Sequence, residues 1–115
     1  VSMDLRLTTS RIGESPVAAL TGIADLSTAP ILHDCLRRVC SEFSGETVLI
    51  DLDGLIALDD AALGLLLGAA ARAREAGGDV ELVCTNDRLR GRLETTRLDR
   101  AIAVRHSISH SDTTT

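Results

Sequence analysis

Asp51-Leu52-Asp53-Gly54-Leu55-Ile56-Ala57-Leu58-Asp59-Asp60-Ala61-Ala62-Leu63-Gly64-Leu65-Leu66-Leu67-Gly68 is the stretch whose reading decides the fold. The apolar residues Val48, Leu49 and Ile50 lead into it as a buried strand over Thr47–Leu52, Gly54 opens a turn, and an apolar run of helical character begins at Asp59-Asp60. The stretch is therefore expected to be a strand end, a loop and a helix start. The first N–H groups of a helix have no intrahelical partner and carry partial positive charge, so either Asp59 or Asp60 is placed to cap this one.

Working outward, strand and helix patterns alternate. Met3 to Thr9 alternates apolar and polar residues as a half-buried edge strand does, and Gly13-Glu14-Ser15-Pro16 marks a turn. Val17 to Leu20 is the returning strand, ending at Gly22. Ser27 or Thr28 is positioned to cap a helix with Pro30 in its first turn, and Leu32, Leu36, Val39 and Phe43 recur along it at three- and four-residue steps, facing the core. On the helix after Asp60, Leu63, Leu66, Leu67 and Ala70 form one stripe and Ala61, Leu65, Gly68 and Arg72 another. Gly77-Gly78 closes that helix; Val80–Cys84 follows as a strand, then a helix from Asn86 or Asp87 with Leu89 and Leu93 inward, and a short strand over Ala101–Val104. The pattern predicts an α/β fold, a mixed and partly parallel sheet of four or five strands with helices mainly on one face, as a single domain over residues 1–105. Residues 106–115, with Ile108 the one large apolar side chain among hydroxyls and two histidines, are expected to be a flexible polar tail.

The spacing of the central stretch resembles the signature of STAS domains, the family of bacterial anti-sigma factor antagonists. There, a strand ending Asp-Leu-x-Gly leads to Asp-Ser-Ser-Gly-Leu-Gly at a helix start. Asp51-Leu52-Asp53-Gly54 matches the strand end, and Asp59, Leu63 and Gly64 match the helix start. Gly22-Ile23-Ala24-Asp25 resembles the family's Gly-x-Leu-Asp, and Ala76-Gly77-Gly78 its helix-to-strand turn. The resemblance implies that Asp25, Asp59 and Asp60 share an acidic rim. This rim would bind an anti-sigma factor or related kinase-like protein, with Ala61, Leu65 and Arg72 on the adjoining helix face. It also exposes a departure: the family's phosphoacceptor serine falls at Ala61, which has no hydroxyl. Asp60, one residue earlier, carries a single charge and fewer acceptor oxygens than a phosphate, and reads as a helix cap rather than a phosphoserine mimic. An accessory or ligand-sensing STAS module, as in lipid-transport complexes or nucleotide-binding members, is the alternative.

Composition narrows the classes further. The net charge of −5 and the single aromatic residue, Phe43, leave no platform for nucleic acid, so no direct nucleic-acid binding is expected. All basic residues are arginine. Arg88, Arg90, Arg92, Arg97, Arg100 and Arg105 crowd the last third, as a solvated face in preference to a contact surface for an acidic protein. Cys35, Cys40 and Cys84 have neither the count nor the spacing of a disulfide framework or zinc ribbon, and are expected to be reduced thiols. His33 lies on a polar helix side without a second histidine at ligand spacing. No nucleophile-base pair, phosphate loop or metal-ligand set is present, so neither enzyme activity nor a cofactor or metal is expected. The longest apolar run, Ala61 to Ala71, is too short to span a bilayer, and a cytoplasmic chain without membrane insertion is expected.

Overall fold

The computed structural model describes residues 5–106. The expected strand start at Met3 and all but His106 of the expected tail lie outside the described residues. Strands β1 (Arg6–Ile12) and β2 (Ser15–Ala24) form the initial hairpin around Gly13, whose φ of 63° only a glycine adopts readily. A 3-10 turn (Leu26–Thr28) leads into α1 (Ala29–Glu42), followed by β3 (Thr47–Leu58), α2 (Asp60–Glu75), β4 (Asp79–Val83), α3 (Asp87–Thr95), α4 (Leu98–Ala101) and β5 (Ala103–Arg105). The sheet order is β1-β2-β3-β4-β5, with β1–β2 antiparallel and the other pairs parallel. Three successive parallel crossovers run in one direction along the sheet, and their helices share one core, as right-handed crossovers on one face do. The expected mixed, partly parallel sheet of four or five strands is observed with five.

The core sits between that face and the helices. Leu32, Leu36 and Val39 of α1 and Ala62, Leu63, Leu66, Ala69, Ala70 and Ala73 of α2 meet Ala18, Leu20, Val48, Ile50, Leu52, Val80 and Leu82 of the sheet, with Leu89 and Leu93 of α3 completing it. Val17, Leu49 and Val83 form a separate small cluster on alternate positions of their strands, which point to the other face. The α2 stripe corrects one expectation. Leu67 is 41% exposed, because Ala62, Ala69 and Ala73 turn toward the sheet and their small side chains let the helix axis come close.

Gly54 corrects another. It opens no turn; β3 continues through it to Leu58, paired with Thr21–Ala24 of β2 across two register shifts. An added Cβ at Gly54 would lie 2.6 Å from Thr21 Cγ2 and 2.7 Å from the Leu20 carbonyl oxygen, so the glycine is required by close approach of two backbones. Leu55 and Leu58 then return to the core. Near the C-terminus the expected strand at Ala101–Val104 splits into α4, entered through left-handed Arg97 (φ 63°), and β5; buried Leu98 and Ile102 tether the two.

Candidate functional site

The site is the junction where β2 and β3 both end against the start of α2. Asp59 has extended backbone and stands at the N-cap of α2, where its Oδ1 accepts from the N–H groups of Ala61 (3.0 Å) and Ala62 (3.2 Å). Its Oδ2 accepts from the Leu26 N–H (3.1 Å), and its own N–H donates to the Ala24 carbonyl (3.0 Å). One carboxylate therefore caps the helix and ties the ends of β2 and β3 together. The neighbourhood of the Gly22–Asp25 and Gly54–Asp60 segments, expected from the resemblance, is made by these bonds.

Asp25 plays the corresponding part for the 3-10 turn. Its Oδ1 accepts from the Ser27 hydroxyl (2.7 Å) and from the Ser27 and Thr28 N–H groups (2.9 and 3.1 Å), while the Asp25 N–H donates to Thr28 Oγ1 (2.9 Å). This is a capping box. The Ser27 hydroxyl above all, with the two backbone N–H groups against partial desolvation, holds the Asp25 carboxyl below its usual range. Neither Ser27 nor Thr28 caps α1 with its side chain, as the sequence had suggested; Thr28 is the N-cap residue, but its hydroxyl points back to the Ile23 carbonyl (2.8 Å) and to Asp25. An Asp three residues before a Thr was the signal that would have located this turn.

Asp60 is not the cap. It is the first residue of α2, and its Oδ1 accepts from Arg92 Nη2 at 2.7 Å, an ion pair reaching from α3. Arg88, one turn earlier on α3, donates from Nη2 to the Ile56 carbonyl (2.9 Å). Further pairs run Arg105–Glu81 (2.7 Å) and Arg90–Asp87 (3.8 Å). Of the six arginines of the last third, Arg88, Arg90, Arg92 and Arg105 are engaged within the chain, and Arg97 and Arg100 are exposed as the solvated-face reading expects. No sequence spacing announces the contacts of Arg88 and Arg92 with residues 32 positions away.

The carboxylates of the expected acidic rim are thus committed to caps and an ion pair. Outward the rim presents Asp60, whose side chain is 85% exposed, together with two apolar residues on the segments that flank the α2 N-terminus: Leu26 is 75% and Ile56 53% exposed. Sequence reading missed these two apolar residues, because an isolated leucine or isoleucine carries no sign of which way it faces. Ala61 and Leu65 are half-buried on the flank of α2, and Leu65 packs against the core. Arg72 is not brought to the rim. At about 1.5 Å per residue it stands about 18 Å along the helix from Asp60, beside Cys40 of α1. Among the described residues no group of three His, Cys, Asp or Glu side chains is placed to hold a metal ion, and no helix is long and apolar enough to cross a membrane. The three cysteines are free.

Comparisons with known proteins place this geometry. The fold matches an anti-sigma factor antagonist from Mycobacterium paratuberculosis with a TM-score of 0.81 at 18% identity, over 94% of this chain and 91% of that one. It matches an anti-sigma factor antagonist assigned from Thermotoga maritima at 0.71 and 18% identity, over 92% and 91%. The unphosphorylated form of the anti-sigma factor antagonist SpoIIAA matches at 0.69 and 15% identity, over 93% and 91%. No curated relative matches the sequence. The family model described as "Mlab, STAS domain" matches residues 7–105, from within β1 to the end of β5, and the chain belongs to the STAS domain family.

Proposed function

We propose that this chain is a binding module of the anti-sigma factor antagonist type, engaging an anti-sigma factor or related kinase-like protein through the rim at the α2 N-terminus. The observation that carries the reading is the pair of exposed apolar residues, Leu26 and Ile56, beside a helix start where Asp25 and Asp59 are engaged as caps and Asp60 pairs with Arg92 while its side chain stays largely exposed. Such a rim is braced by hydrogen bonds and partly apolar, the character of a protein-contact surface with a few dominant side chains. Ala61 lies at its edge. Leu65 adjoins it but is tied into the core, so Leu65→Asp would disturb packing as well as any contact. Arg72 falls outside the proposed footprint.

Ala61 stands where the family accepts phosphate, and in this reading the protein is not switched off at that position. Asp60 is not taken as a phosphate mimic: it carries one charge, has fewer acceptor oxygens than a phosphate, stands one residue before the acceptor position and is paired with Arg92. The test is binding to a kinase-like anti-sigma protein from the source cell, by calorimetry, for wild type, Leu26→Glu, Ile56→Glu and Ala61→Ser. Constitutive wild-type binding, loss in both Glu variants with unchanged circular dichroism, and ATP-dependent loss only in Ala61→Ser are expected. Normal binding by both folded Glu variants would refute the rim.

A second reading is an accessory STAS module of a multiprotein complex such as a lipid-transport assembly; what favours it is that the matching family model is the Mlab one. Co-purification with a transporter ATPase or permease, and not with a kinase-like protein, would select it.

A further inference from the structure

We propose that the groove between α1 and α2 is an oxyanion site centred on Arg72, taking a small phosphate-bearing molecule. The groove has a volume of about 260 Å³ and is lined by Arg37, Cys40, Ser41, Ser44, Arg72 and Ala76. The chain has 17 acidic and 12 basic residues, so carboxylates are in excess. Of the four half-buried arginines, Arg90, Arg92 and Arg105 each face one; Arg72 faces none among the described residues. The Arg72 nitrogens keep contact with solvent, so its five N–H donors are open to an incoming anion that displaces water.

Its placement is specific. Gly68, one turn earlier on the same flank of α2, has no side chain to compete for the space, and Arg72 Nη1 lies 3.6 Å from where a Cβ there would be. The guanidinium therefore lies back along the helix toward α1. Its charge is felt by the Cys40 thiol, where it opposes the upward shift caused by burial. From α1, Arg37 is held only by an exposed 3.7 Å contact with Asp34 and is available to turn inward. Ser41 and the nearby Ser44, both exposed, line the groove and supply two hydroxyls open to solvent.

Two guanidinium forks and two hydroxyls offer more donors than one carboxylate accepts, and a tetrahedral phosphate uses them better. The volume is below that of a drug-sized pocket, so it accommodates the phosphate group and leaves the remainder of the molecule in solvent. The partial negative charge at the α2 C-terminus stabilises Arg72 in the free protein but supplies none of the missing acceptors, and it holds affinity down. Occupancy is expected in the millimolar range typical of a weak metabolite-level site, reached by titration.

The experiment needs no protein partner, so its failure is separate from failure of the rim reading. Uniformly 15N-labelled full chain is titrated with sodium phosphate, and in parallel with sodium chloride at matched ionic strength, following the Arg72 Nε–Hε signal and the Ser41 and Ser44 amides. A second arm uses a polyglutamate peptide. Saturable shifts with phosphate alone, abolished in Arg72→Gln, weakened several-fold in Arg72→Lys and retained in Arg100→Gln, are expected. Equal shifts with chloride, persistence in folded Arg72→Gln, or saturation by polyglutamate but not phosphate would each overturn the proposal. Should Arg72→Gln lose its native spectrum, Arg72→Lys decides: undiminished phosphate shifts in that variant refute a guanidinium site.

Discussion

Replacing Gly54 by alanine adds one methyl group, and the structure locates it. The new Cβ would meet the Leu20 carbonyl oxygen at 2.7 Å and Thr21 Cγ2 at 2.6 Å. The threonine methyl can rotate aside, but the carbonyl belongs to a strand paired on both sides, with β1 and β3, so relief requires β2 and β3 to separate at the register shift between Ala19 and Thr21. Overpacking of this kind costs about 1–3 kcal/mol. A domain this size loses about 4 °C or more of Tm for each kcal/mol. The companion variant is Gly64→Ala. Gly64 lies mid-helix in α2 with nothing within 4 Å of an added Cβ, so the same methyl should stabilise by about 0.5–1 kcal/mol through helix propensity. Urea denaturation of wild type and both variants measures the difference, with unchanged slopes confirming that stability alone moved. Wild-type stability in Gly54→Ala would mean that the two strands do not approach as described, and a destabilised Gly64→Ala would mean that this side of α2 is covered.

Other outcomes follow from the same packing and bonding. Asp59→Ala removes the α2 cap, worth about 1 kcal/mol, and also frees the Leu26 N–H; a variant as stable as wild type in urea would contradict the role of Asp59 as the tie between β2, β3 and α2. Leu36→Ala, at a fully buried position of α1, should cost about 2–5 kcal/mol, whereas Leu67→Ala on the exposed side of α2 should stay within about 0.5 kcal/mol; equal losses would put Leu67 back in the core. Burial pushes the Cys40 and Cys84 thiols above their ordinary value of 9.0, Arg72 opposing at Cys40 and the Asn86 backbone at Cys84. A folded pKa raised above the unfolded one adds stability that is complete below pH 9.0 and is lost as pH climbs through the folded value. Denaturation midpoints should therefore fall on the alkaline side of that value, and less steeply in Cys40→Ala; an unchanged alkaline slope in that variant would refute the contribution of Cys40.

The sequence by itself determined most of the element order, the initial hairpin, the parallel alternation and most of the core, because those rest on local periodicity: Leu32, Leu36 and Val39 repeat at helical spacing, and Val48, Leu49 and Ile50 are an apolar run between Gly45 and Gly54. The motif residues Asp51 to Gly54, Asp59 and Gly64 were enough to indicate the family. The tertiary structure decided what each of those residues does. Gly54 reads locally as a turn, yet serves a contact between two strand backbones, since nothing in its neighbours states that Leu20 lies against it. Asp59 and Asp60 are adjacent and chemically identical; one became a cap and the other an ion-pair partner because Arg92, 32 residues later, lies within 2.7 Å of Asp60. The exposure of Leu26 and Ile56, and the isolation of Arg72 from every described carboxylate, depend likewise on which side chains fold next to them, a relation between distant segments that no local pattern of residue types encodes.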